Sequence, residues 1–163
     1  LPALPPDARR IAHRMSGHDE LMQVVLATLA PHFGHPPVQD PDGDIPVRRE
    51  QSMTYVRVLH DRPVVELLCW PDVDVRDLDA ARVEVEILNR DNPLINVVLD
   101  EDRIVVRANV LAQPFVQKHL EDLLEGFSEL MDRITPDLAL RVKGRGWLQP
   151  RSEGELASWD ESA

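Results

Sequence analysis

The chain has 163 residues, 43% of them apolar, a net charge of −11 and one cysteine, Cys69. That length suits one domain with a sizeable core, and no apolar run is long enough to span a bilayer. A single cysteine excludes an internal disulfide and a cysteine-based metal cluster and suits a reducing cytoplasm, while the acidity argues against nucleic acid and anionic membranes, which both need clustered positive charge. Of the 18 basic residues 16 are arginine, read as the mark of a GC-rich genome rather than of a function. The sequence opens at Leu1, so a missing or processed start is expected, and no signal-peptide pattern can be read.

Residues 1–16 ("LPALPPDARRIAHRMS") are proline-rich and then basic, without sustained periodicity, so residues 1–17 are expected to form a flexible arm or a short helix. The pattern over 18–33 predicts a helix with Asp19 as N-cap and an apolar face of Leu21, Met22, Val25, Leu26, Leu29 and Phe33. Pro36-Pro37 and "DPDGD" at 40–44 predict turns. Three alternating runs, 44–49, 52–60 and 63–70, predict half-buried strands, the last two joined by a hairpin at "HDR".

A second helix is expected over 76–91, two strands over 94–100 and 103–110 around "DED", and a last helix over 115–135, stopping before Pro136. The fold class is therefore α+β: α-β-β-β-α-β-β-α, with an antiparallel five-stranded sheet packed by helices over residues 18–142. Residues 143–163 are expected to be a weakly structured acidic tail.

The last helix carries Val116, Leu120, Leu123, Phe127, Leu130, Met131 and Ile134 on one face and Glu121, Glu125, Glu129 and Asp132 opposite, an acidic row read as solvated surface. The second helix is apolar on two sides. Leu78, Ala81, Val85 and Leu88 suit the sheet; Ala80, Val83 and Ile87 need another cover, either a two-fold dimer seam or the arm or tail.

The sheet shows a similar excess. Thr54, Val56, Val58, Val65, Leu67, Cys69, Ile95, Val97, Leu99, Ile104 and Val106 suit an inward face. Met53, Tyr55, Leu59, Val64, Leu68 and Trp70 fall on the opposite parity, more apolar than a solvated face should be. They are a candidate binding surface, unless the arm or tail covers them.

Other chemistry finds little support. The six histidines are scattered and Cys69 sits on the inward parity as a buried thiol, so no metal, cofactor or catalytic residue is assigned. No nucleophile elbow, phosphate loop or zinc-binding helix motif occurs.

Asn89-Arg90-Asp91-Asn92-Pro93 reads as a helix stop: Asn tolerates the left-handed conformation, proline prevents continuation, and the Asn89 amide can tie down backbone groups of the following turn. The order of elements, "DGDI" at 42–45 and "EILNRDNP" at 86–93 resemble the YbjN-like proteins over residues 18–138, with Asn89 and Asn92 at that family's paired asparagines. These proteins resemble in fold the class I type III secretion chaperones of the CesT kind.

The resemblance implies a cytoplasmic homodimer, not an enzyme, that binds a protein or peptide client as an extended apolar segment. A regulatory adaptor for a folded partner is the alternative, and an uncharacterised enzyme a remote one. Trp147 and Trp159 stand on the otherwise polar tail. At least one is expected to dock on apolar surface of its own domain or of a dimer mate, where it could occupy the client site when no client is present, against the competing account of incidental exposed aromatics.

Overall fold

The computed structural model describes residues 17–150. In chain order the elements are α1 (His18–Phe33), β1 (Ile45–Arg48), β2 (Met53–Val58), β3 (Val64–Val73), α2 (Leu78–Asp91), β4 (Asn96–Asp100), β5 (Arg103–Leu111), α3 (Gln117–Val142) and β6 (Arg145–Gly146). The sheet runs β1-β2-β3-β5-β4, every pair antiparallel, and β6 also pairs with β3. It thus has six strands rather than five, the extra one coming from the segment expected to be tail.

All three helices contribute to one core against one face of the sheet. The inward parity is as the alternation predicts. Thr54, Val56, Val58, Val65, Leu67, Cys69, Val97, Ile104 and Val106 are buried, with Ile95 and Leu99 packed at its margin. From α1 come Leu21, Met22, Val25 and Leu29, and from α2 Ala81 and Leu88.

Three local expectations need correction. Helix α1 starts from Gly17, in extended conformation and without a side-chain cap, so Asp19 is a first-turn acid favoured by the helix dipole rather than the N-cap. Helix α3 runs through Pro136. An interior proline costs about 3 kcal/mol, but the turns beyond it bury Leu138, Ala139 and Val142, and each large apolar side chain buried returns roughly 1.5–3 kcal/mol.

The acidic row of α3 is also more than solvated surface. Asp132 accepts from the Gln51 amide (2.5 Å) and from Ser52 Oγ (3.2 Å), and Glu125 accepts from Arg49 (2.8 Å), fastening the β1–β2 turn to the helix.

Strand β3 carries a bulge. Cys69 pairs with Val106 but Asp72 pairs with Ile104, so one extra residue intervenes. Side chains alternate, so the slip turns Asp72 to the inward face. Past that point β5 still flanks β3 on one side, and β6 takes the side that β2 occupies higher up, pairing Gly146 with Asp72 and Arg145 with Val73.

Candidate functional site

The α2–β4 joint is built from its asparagines. Asn89 Nδ2 donates to the Val97 carbonyl and Asn89 Oδ1 accepts from the Val97 amide, both at 2.8 Å. Val97 lies on the edge strand, so this side chain stands where a neighbouring strand's peptide group would. Asn92 ends the helix by sending both its backbone N–H and its Nδ2 to the Leu88 carbonyl (3.1 and 3.0 Å). Its φ of −133° lies outside the left-handed region, so the cap is made by hydrogen bonds and not by the left-handed conformation expected.

Pro93 then carries the chain out to Leu94, which is 77% exposed, before β4 begins. The late start of β4 opens a space. Its first pair is Asn96 with Arg107, whereas β5 continues to Leu111 with β3 on its other side. Beside that overhang lies an apolar groove of about 740 Å³. One wall is the joint, Asn92 to Ile95; the second is Asn109, Val110 and Leu111; the third is the α3 flank of Leu123, Phe127 and Leu130.

Gly126 lies in that third wall and leaves it open, since a Cβ there would meet nothing within 4 Å. Asp91, Asp122 and His119 complete the lining. Arg90 donates to Asp91 (2.8 Å) and holds its carboxyl below the usual range.

The groove was not legible as a site, although Leu123 and Leu130 belong to the apolar row of α3. That row carries no mark that separates a groove wall from the face packed on the sheet, and Leu111 lies one residue past the expected strand end. The signal available was the width of that row, broader than one contact with the sheet requires.

The outer sheet face presents an aromatic row. Tyr55 meets Trp70 edge-on (centroids 5.4 Å apart), and Trp147 lies tilted against Trp70 (5.5 Å). Met53, Tyr55, Leu59 and Trp70 are half-buried and accessible. Val64 and Leu68 are buried, so these two support the surface from within and do not form it. Beside them Arg57 donates through Nε and Nη2 to both oxygens of Asp44 (2.8 and 2.6 Å), while the Asp42 and Asp44 amides donate to Asp40 Oδ1. That fork accounts for the "DGDI" stretch.

On α2, Ala81 and Leu88 are buried, while Val83 is 56% exposed and Ala80 and Ile87 are partly so; Leu78, expected against the sheet, is exposed. Among the described residues two titrating groups are strongly shifted, and neither lines the groove. Burial pushes the Cys69 thiol up to about 12 and the Asp72 carboxyl up to about 8. Among the described residues Asp72 has no hydrogen-bond partner for either side-chain oxygen. Trp159 falls outside the described residues.

An antiparallel sheet with its helices gathered on one face, in this order, is the fold of the type III secretion chaperones. A solved complex of ExsC with ExsE matches with TM-score 0.57 at 18% identity, covering 74% of this chain and 95% of that one. The HopA1–SchA chaperone–effector complex matches with TM-score 0.53 at 14% identity, covering 68% and 90%. The Yersinia pestis type III secretion chaperone SycH, in complex with a stable fragment of YscM2, matches with TM-score 0.50 at 12% identity, covering 68% and 96%. Comparison with curated protein sequences finds no match. The chain belongs to the TY-Chap1 family, described as T3SS (YopN, CesT) and YbjN peptide-binding chaperone 1, which matches residues 19–150. No helix among the described residues is long and apolar enough to cross a membrane.

Proposed function

We propose that this protein is a non-enzymatic, cytoplasmic, chaperone-like binder that holds an extended apolar segment of a client protein in the groove between α3 and the β5 overhang. The observation that carries the reading is the groove itself, about 740 Å³, lined mainly by apolar side chains and open along a strand that outruns its neighbour. An extended segment can lay alternate side chains into such a groove, and its backbone can bond to the uncovered strand. A flat patch with a polar rim would suit an adaptor for a folded partner, and a closed pocket with shifted titrating groups would suit an enzyme. This concavity is open, and the shifted groups lie elsewhere.

The outer face, Met53, Tyr55, Leu59 and Trp70 over Val64 and Leu68, is a second contact surface for the same client. Ala80, Val83 and Ile87 form the seam of a homodimer, supported by an apolar stripe that nothing among the described residues buries completely. The test is retention of extended peptides graded in apolar content. The unmodified chain should retain the apolar ones, and Leu94→Glu with Leu111→Glu should release them without loss of fold, because both side chains are 77% exposed. Equal retention by the double variant would end the reading.

A further inference from the structure

Beyond the groove, the segment that follows α3 occupies a site of its own. Strand β2 stops opposite Trp70, leaving the β3 edge at Asp72–Val73 for another strand, and Arg145–Gly146 fills it with only two residue pairs. Each residue of that segment meets a different demand. Arg145 donates from Nε to the Asp74 carboxylate. Gly146 passes so close to α3 that a Cβ would stand 3.0 Å from Thr135 Cγ2. Trp147 packs its ring against Trp70, tilted by 31°, and yet remains 40% exposed. Gln149 folds back to accept from the Gly146 amide (3.2 Å), while its own amide donates to the Gly146 carbonyl (3.0 Å).

We infer that residues 145–149 are a displaceable strap, and that the site beneath them takes a partner protein's extended segment reading cationic, small, aromatic. The occupant present in the fold shows what the site recognises: a guanidinium on Asp74, no side chain at Thr135 and a ring on Trp70. Two strand pairs and a half-exposed tryptophan make a short seam, and the buried Asp72 carboxylate at that seam lacks a hydrogen-bond partner among the described residues, which weakens the closed arrangement. A tethered strap competes at an effective concentration on the order of millimolar, so a partner segment must bind well or the strap must be removed. Displacement would also bare the Tyr55–Trp70 pair. The inference stands on β3 and Trp70 and does not require the groove to bind anything.

The probe is a fluorescein-labelled octapeptide of the sequence of residues 143–150, titrated into the full chain and followed by anisotropy. The double variant Arg145→Ser, Trp147→Ala should bind it at least tenfold more tightly than the unmodified chain. Adding Trp70→Ala should abolish binding, as should a valine at the peptide's Gly146 position. A Leu94→Glu control separates the two sites: it should leave octapeptide binding unchanged, and a loss there would place the peptide in the groove and overturn the strap. Equal binding by the unmodified chain and the double variant would overturn it too. So would a double variant that no longer folds, since the segment would then be a fixed part of the core. Hydrogen exchange on the unmodified chain gives an independent reading: the amides of the facing pair Arg145 and Val73 should exchange well before the β2–β3 ladder, and equal protection contradicts displacement.

Discussion

Asn89 and Val97 are joined by two hydrogen bonds of 2.8 Å, one in each direction, between a helix side chain and the backbone of an edge strand. The amide presents a donor and an acceptor side by side, as a neighbouring strand would. The edge is thereby closed at Val97, and on the far side of Asn96 β5 outruns β4.

Replacing Asn89 with leucine would keep the volume but leave the Val97 N–H and C=O without partners. The loss should be about 1–3 kcal/mol, read as a lower urea midpoint with an unchanged slope. Asn89→Asp keeps the acceptor for the Val97 amide but sets a carboxylate against the Val97 carbonyl, so it should not rescue the loss. An unaltered midpoint for Asn89→Leu would show the pair to be dispensable.

Asp72 makes stability depend on pH. Burial raises its folded pKa to about 8 from an ordinary 3.8, with Arg141 opposing the rise. The folded state therefore binds a proton that the unfolded state has lost between those values. Its contribution to stability is full below the unfolded pKa, falls as pH rises, and is exhausted above about 8. Asp72→Asn should flatten that fall and raise the melting temperature at pH 7.5. Parallel pH profiles for the two proteins would refute the assignment.

Leu68 and Met53 share the outer parity but not the same surroundings. Leu68 is buried, so Leu68→Lys should destabilise by roughly 2 kcal/mol or more, because a charge would be forced from water. Met53→Lys, at a half-buried position, should cost less than half of that. Thermal melts decide the order, and equal losses would mean that Met53 is core as well.

The proposed dimer seam has a direct reading. Light scattering of the unmodified chain should return twice its 18.5 kDa mass, and Val83→Glu with Ile87→Glu should return the single mass with an unchanged circular dichroism spectrum. A single mass for the unmodified chain at micromolar concentration removes the seam.

Period-two alternation made the inward sheet face legible from Thr54 to Val106, because each of those strands buries one face against helices. It could not reveal the bulge, since the extra residue between Cys69 and Asp72 lies in "WPDV", which has no alternation to break. Pro136 hid the end of α3 because local propensity was outweighed by the burial of Leu138 and Val142. The two residues of β6 are too short to carry a period at all. Asn89 was legible as a tether, but not its partner, because the sequence does not show that β4 lies at the edge. The groove escaped notice because it arises from two strands of unequal length, and strand ends are where pattern reading is weakest.

The groove is the proposed seat of an extended client segment. A photo-crosslinking amino acid placed at Leu94 or Leu111, and at the exposed Val38 outside the groove as control, tests it in the native cell. Mass spectrometry of the adducts should map the Leu94 and Leu111 crosslinks to one contiguous apolar segment of a client, with none from Val38. Adducts equally frequent from Val38, or scattered over the folded surface of a partner, would contradict it.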